Sequence, residues 1–168
     1  MGKAFCFGDN IDTDVIIPGQ YLNVSDSEEL AKSCMNGYEE GFIKKITPGD
    51  VFVAGNNFGC GSSREHAAIS IKSAGVACII AKSFARIFYR NAINIGLPVL
   101  ESPEAVAAIE QGNEISVDFS DGVINNLTKG EIYLFTSFPA SILEIIKIGG
   151  AVEYVKSRRL QTEGNKCF

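Results

Sequence analysis

A mixed α/β domain with α+β layers is the fold this sequence predicts, and three observations carry the prediction. In the middle of the chain, short β-rich runs alternate with segments of helical pattern. The last third carries three strand-like runs joined at Asp121-Gly122 and Lys129-Gly130, the pattern of antiparallel strands. No repeat, low-complexity tract or linker divides the 168 residues, a length that fits one domain with its own core.

Residues 3–7 read as the first strand. Residues 9–14 follow as a polar loop rich in Asp, and the apolar run Val15-Ile16-Ile17 is stopped by Pro18-Gly19. Asp26-Ser27-Glu28-Glu29 opens a helix with acidic residues in its first turn, where they favour the helix dipole, and Asn36-Gly37 closes it. Residues 38–45 form another short helix, ended by Thr47-Pro48-Gly49-Asp50. A strand at 50–54, a loop at 56–61 and a helix at 62–73 come next. Residues 75–81 are an apolar run of the kind buried on both faces. A helix at 84–95 ends at Gly96, and a strand occupies 97–100. Pro103 near the start and Gly112 past the end frame a helix at 103–111. Strands at 115–119, 123–127 and 131–135 lead to a helix at 139–148. Gly149-Gly150 breaks it, a second short helix follows, and the polar tail from Arg158 is expected to be loose.

Composition narrows the function. Asp and Glu total 20 against 15 Lys and Arg, a formal net charge of −5. That sign argues against the positive footprint of nucleic-acid or anionic-membrane binding. The N-terminus lacks the apolar region of a signal peptide and no stretch is long enough to span a bilayer, so the expected location is cytoplasmic. Cys6, Cys34, Cys60, Cys78 and Cys167 are odd in number and contain no Cys-x-x-Cys pair. Scattered thiols suit a reducing compartment and argue against a closed zinc site or a complete cluster site within the chain.

Four groups of residues could carry chemistry. Gly59-Cys60-Gly61-Ser62-Ser63-Arg64-Glu65-His66 follows a strand and opens a helix. Its glycines allow a tight turn, the helix N-terminus offers N–H groups, and Arg64 adds a fork suited to a carboxylate. The same spacing also reads as a plain capping box, with Ser62 as N-cap and Glu65 three residues on. A dinucleotide-binding reading fails because Arg64 stands where the third glycine is needed. Asp9, Asp12 and Asp14 could hold a cation or orient a base, or form a solvated Asx-turn loop. Lys82, Arg86 and Arg90 share a helix face at four-residue spacing, either as an ordinary exposed stripe or as a surface for an anion or partner. His66, the single histidine, reads as structural.

Three blocks together resemble one family. Asn10-Ile11-Asp12-Thr13-Asp14-Val15-Ile16-Ile17-Pro18-Gly19-Gln20-Tyr21-Leu22 is similar to the N-terminal signature of 3-isopropylmalate dehydratase and homoaconitase small subunits. Gly55-Asn56-Asn57-Phe58-Gly59-Cys60-Gly61-Ser62-Ser63-Arg64-Glu65-His66-Ala67 resembles their active-site signature, and Ala81-Lys82-Ser83-Phe84-Ala85-Arg86-Ile87-Phe88-Tyr89-Arg90-Asn91 a third block. The blocks stand in order, and with the length the resemblance covers nearly the whole chain.

The resemblance implies the swivelling β/β/α domain of the aconitase superfamily over residues 1–157, with 158–168 as a polar tail. It implies a large partner subunit holding a [4Fe-4S] cluster, in a heterodimer or heterotetramer, with no cofactor or metal on this chain and no activity from it alone. The implied reaction is a hydro-lyase isomerisation of a small hydroxy-dicarboxylate by dehydration and rehydration. Ser62 matches the general base, Ser63 and Arg64 match residues that hold substrate carboxylates, and Asp14 matches an aspartate that supports the site. Homoaconitase-type subunits carry an arginine after the equivalent of Tyr21-Leu22, where this chain has Asn23 and then Val24. A neutral Asn23 fits a substrate with an apolar side group, so 3-isopropylmalate and 2-isopropylmalate, of leucine biosynthesis, are expected. Homoaconitase and 2,3-dimethylmalate dehydratase small subunits are the alternatives, and a non-catalytic carboxylate-binding module is the alternative of another class.

Overall fold

The computed structural model describes residues 1–164; Cys167 and the end of the expected tail lie outside them. One half of a seven-stranded sheet is parallel: β1 (Gly2–Cys6), β2 (Val51–Ala54), β3 (Cys78–Ala81) and β4 (Val99–Glu101). The other half is antiparallel: β5 (Glu114–Asp118), β6 (Val123–Asn126) and β7 (Glu131–Leu134). The order is β4-β3-β2-β1-β5-β6-β7, and β1 is the seam. Its Ala4, Phe5 and Cys6 pair in parallel with Val51, Phe52 and Val53, while Gly2 and Lys3 pair antiparallel with Ile115 and Glu114. This is the mixed α/β architecture expected from the sequence.

Parallel neighbours need crossover connections, and helices supply them. α1 (Thr13–Ile16) and α2 (Ser27–Lys32) lie between β1 and β2, α3 (Glu65–Ser73) between β2 and β3, and α4 (Arg86–Ile95) between β3 and β4. Every residue of β2 and β3 is buried, as unbroken apolar runs require of strands covered on both faces. α3 contacts both α2 and α4. α5 (Pro103–Ala108) leads into the antiparallel half, and α6 (Ala140–Ile148) and α7 (Ala151–Gly164) return to pack on α4.

Lys72 of α3 fastens this return. Its ammonium donates to the carbonyl oxygens of Ile95 and Gly149, placing a cation at the C-terminal ends of α4 and α6. Burial lowers its pKa. The ends can meet because Gly96 is in the left-handed region at φ 78° and lacks a side chain: a Cβ there would stand 2.7 Å from the Gly149 carbonyl carbon.

Several elements differ from the sequence expectation. The helix expected from Ser62 begins at Glu65, with Arg64 as an N-cap whose side chain makes no capping bond, so Ser62 and Glu65 form no capping box. The reason is long-range: the Ser62 N–H is held by Thr13 Oγ1 at 3.1 Å, which keeps residues 61–63 against the first loop. Residues 13–16 form a helical turn, because the Asp12 carboxylate accepts from the N–H groups of Asp14 and Val15. The second helix stops at Lys32, and 38–45 contributes only a 3₁₀ turn, Phe42–Lys45. The helix at 103 stops at Ala108. The last helix is long rather than short, and runs past Arg158 to Gly164.

Candidate active site

Ligands of open α/β sheets bind beyond the C-terminal ends of the parallel strands. Here the loops that leave β1, β2 and β3 meet at that end and are laced together. Gly55 N–H donates to the Gly8 carbonyl, and Asp9 Oδ1 accepts from both the backbone and side-chain nitrogens of Asn56 at 2.6 and 3.2 Å. Asn57 Nδ2 donates to Asn10 Oδ1 at 3.0 Å, and Asn57 N–H to Ser83 Oγ at 2.9 Å. Gly59 N–H donates to the Ile11 carbonyl and Thr13 N–H to the Cys60 carbonyl, at 2.7 and 2.8 Å. Isolated bridges pair Asp12 with Cys60 and Phe58 with Phe84. The three sequence blocks are therefore one loop assembly.

The aspartates divide their work. Asp9 braces Asn56 and Asp12 caps α1, which makes both structural, as the Asx-turn reading expected. Among the described residues, no three His, Cys, Asp or Glu side chains gather as a metal site. Asp14 is the exception: its Oδ1 forms an ion pair with Arg64 Nη1, which also lies 3.5 Å from the Ile17 carbonyl. The Arg64 side chain is 20% exposed and that of Asp14 63%, so the pair lies at the rim. Gly19 closes the same corner: a Cβ on it would stand 3.7 Å from Arg64 Nη2.

Ser62 and Ser63 are exposed at the loop tip. The Ser62 hydroxyl has no partner among the described residues, and only its N–H is tied, to buried Thr13. The Ser63 carbonyl accepts from Asn91 Nδ2 of α4 at 3.3 Å. Asn23 is exposed past the 3₁₀ turn Gly19–Tyr21, and no hydrogen bond or ion pair joins it to Ser62, Ser63, Arg64 or Asp14. The structure thus brings four of the five expected site residues into one loop assembly and leaves Asn23 at its edge. His66 sits partly buried in the first turn of α3 and lines no cavity with Ser62. Burial, and then the Asp12 carboxylate, push the Cys60 thiol above its usual pKa, which keeps it protonated at neutral pH and unsuited to nucleophilic work.

A cleft of about 350 Å³ opens beside Ser62, lined by Gly59, Gly61, Ala85, Arg86, Ile87 and Arg90. Larger hollows exist, including one of about 530 Å³ that Arg86 and Arg90 also border, with Phe84, Tyr89 and Phe138, but Ser62 does not line it. The smaller cleft is the chemical one because it combines a free hydroxyl with two cations. Arg86 and Arg90 had been visible only as a basic stripe; the cavity is what connects them to Ser62. The third member, Lys82, is exposed and outside the cleft.

Known proteins match this architecture. Residues 43–105 match the model of the aconitase C-terminal domain. The chain is 59% identical over 158 residues to the 3-isopropylmalate dehydratase small subunit of Caldanaerobacter subterraneus, covering 94% of this chain and 98% of that one. It is 58% identical over 156 residues to the 2,3-dimethylmalate dehydratase small subunit of Eubacterium barkeri, covering 93% and 96%. The crystal structure of 3-isopropylmalate dehydratase (leuD) from Methanocaldococcus jannaschii superposes with a TM-score of 0.91 at 46% identity, covering 98% of this chain and 97% of that one. Matched along nearly its whole length in sequence and in fold, the chain belongs to the 3-isopropylmalate dehydratase small-subunit family of aconitase-type proteins.

Proposed function

We propose that this chain is the small subunit of a heteromeric hydro-lyase that interconverts 3-isopropylmalate and 2-isopropylmalate in leucine biosynthesis, and that it works in the cytoplasm. Among the described residues, no helix is long and apolar enough to cross a membrane. The observation that carries the reading is the Ser62 hydroxyl, which caps no helix, is unbonded among the described residues and lines a cationic cleft.

In the dehydration, Ser62 takes the proton from the carbon next to a carboxylate, and the hydroxyl on the neighbouring carbon departs with a second proton as water. In the rehydration, Ser62 returns its proton to the carbon that lost the hydroxyl, and the new hydroxyl forms on the other carbon. A serine is a poor base at neutral pH, so its alkoxide needs positive surroundings. The N–H groups of the first turn of α3 and the Arg64 guanidinium supply them. Ser63 and Arg64 hold substrate carboxylates, and Asp14 is a positioning residue that orients Arg64 through their ion pair. Asn23 offers a neutral neighbour to an apolar side group. A larger subunit completes the enzyme, and its [4Fe-4S] cluster supplies a Lewis-acidic iron for the substrate hydroxyl. We place no cluster on this chain, where the described cysteines do not converge and burial pushes the Cys34 and Cys78 thiols up to about 12.

The test is anaerobic reconstitution with the iron–sulfur large subunit, followed by turnover of isopropylmalate, dimethylmalate and homocitrate. Isopropylmalate should be preferred. Dimethylmalate is the second reading, favoured by the 58% identity to the Eubacterium barkeri subunit. A preference for homocitrate would overturn the reading of Asn23. Ser62→Ala should lower kcat by about 10²- to 10⁴-fold while the complex still assembles. Equal activity in that complex would remove Ser62 from the base role.

A further inference from the structure

The charges around Ser62 do not balance for a dicarboxylate if Arg64 is the only cation. Its guanidinium already faces the Asp14 carboxylate and the Ile17 carbonyl, so it cannot by itself offset two substrate carboxylates. The substrate class proposed above brings two negative charges to a chain whose own net charge is −5. The cleft must therefore contain other cations. Arg86, first residue of α4, and Arg90, one turn later, line it together with Ser62, and neither has an ion-pair partner among the described residues. Between them Ile87 is 52% exposed, an isolated apolar side chain in the same cleft.

Their placement relative to Ser62 is held by packing. Phe88, on the inner face of α4, meets Phe58 edge-on at 5.3 Å, and the backbone of Gly59 lies against its ring. Ala85 N–H donates to the Phe58 carbonyl at 2.9 Å, and Asn91 holds the Ser63 carbonyl. With Phe88 and Asn91 locked to the 58–63 loop, Arg86, Ile87 and Arg90 of the same helix line the cleft beside Ser62. Residues four apart on a helix are neighbours, so two guanidinium groups can converge on one carboxylate.

We propose that Arg86 and Arg90 bind one substrate carboxylate in the Ser62 cleft, with Ile87 against the substrate's alkyl branch, while Arg64 takes the other carboxylate. This rests on the hydro-lyase reading and adds to it the residues that select a dianion with a branched apolar group. The competing use of the same surface is docking of an acidic patch on the large subunit.

The experiment uses the reconstituted two-subunit enzyme with isopropylmalate. Arg86→Gln and Arg90→Gln should each raise KM by about ten- to a hundredfold, with kcat much less affected, because a ground-state carboxylate contact is lost. Arg86→Lys and Arg90→Lys should recover part of the loss. Lys82→Gln, outside the cleft, should leave KM unchanged. Subunit affinity is measured in parallel by titrating each variant into the large subunit. Unchanged KM in both Gln variants overturns the inference while leaving the hydro-lyase reading intact. A rise in KM matched by a loss of subunit affinity overturns it in favour of docking, and an equal rise in Lys82→Gln overturns it in favour of a general field effect. A wild-type complex inactive on every hydroxy-dicarboxylate removes both readings.

Discussion

The two halves of the sheet use the same kinds of residue for different ends. In the parallel half, turn residues at the ends of β1, β2 and β3 bond to one another across 26 to 49 positions of sequence. In the antiparallel half, the turns rest more on local bonds: Asp118 accepts from Ser120 and Asp121 nearby, and Lys129 N–H donates to Asn126 Oδ1, with longer links of 13 to 21 positions. β7 leaves Ile132 and Leu134 exposed at 68% and 70%, whereas β2 and β3 have no exposed residue. The difference teaches where precision is needed. Local turns suffice to reverse a strand, but an active site assembled from three loops needs its loops to hold each other, and that makes the parallel rim sensitive to small changes.

Matched substitutions can break this comparison. Gly59→Ala and Gly130→Ala both place a side chain at positive φ, 76° and 69°. At Gly130 the new Cβ meets nothing within 4 Å, so only backbone strain of about 1 kcal/mol or slightly more is added. At Gly59 it would stand 2.1 Å from Phe88 Cγ, so strain and overpacking add to about 2–5 kcal/mol. Denaturant midpoints should separate the two variants clearly. Equal midpoints would mean that α4 yields and does not lock the loop.

Thr13 and Thr128 form a second matched pair. Thr13 Oγ1 is buried and accepts from Ser62 N–H at 3.1 Å; Thr128 Oγ1 is exposed and accepts from Glu114 N–H at 2.8 Å. Thr13→Val strands an N–H at the site and should cost about 1–3 kcal/mol, with kcat falling as Ser62 loosens. Thr128→Val should cost about 1 kcal/mol or less, because water replaces the lost acceptor. Unchanged kcat in Thr13→Val would mean that the Ser62 N–H contact does not position its hydroxyl.

The same contrast explains what could be read from the sequence. Strands were legible because β2 and β3 are unbroken apolar runs and β5 to β7 are bounded by Gly-containing turns, both of which are local patterns. The site motifs were legible as motifs. What could not be read was any feature decided by a distant partner. Ser62-x-x-Glu65 has capping-box spacing, yet Thr13, 49 positions away, holds Ser62 out of the helix. The turn at 13–16 depends on an Asp12 cap rather than on its apolar run. Arg86 and Arg90 had the right spacing for a shared face, but only the approach of Gly59 to Phe88 turns that face towards Ser62. The extent of α7 was hidden because its sequence is polar and no residue from Ala151 to Arg159 is fully buried.

The smallest expected effect on stability is also the sharpest test of the comparison. Asp14–Arg64 at the parallel rim and Glu110–Lys129 in the antiparallel half are both ion pairs with an exposed carboxylate, 63% and 74%. Pairs of this exposure contribute about 0–1 kcal/mol, so Asp14→Asn and Glu110→Gln should leave thermal midpoints nearly unchanged. Their effects on turnover should diverge. Glu110→Gln touches nothing near Ser62, so its reconstituted complex should match wild type. Asp14→Asn keeps the side-chain shape but removes the charge that aims Arg64, which should lower kcat by about tenfold. It also leaves Arg64 as an added unpaired cation beside the cleft, so KM for a dicarboxylate should hold steady or fall. A rise in KM with unchanged kcat would instead place the Asp14 carboxylate against the substrate itself. That outcome would move Asp14 from positioning residue to ligand and force the carboxylate assignments of Arg64, Arg86 and Arg90 to be redrawn.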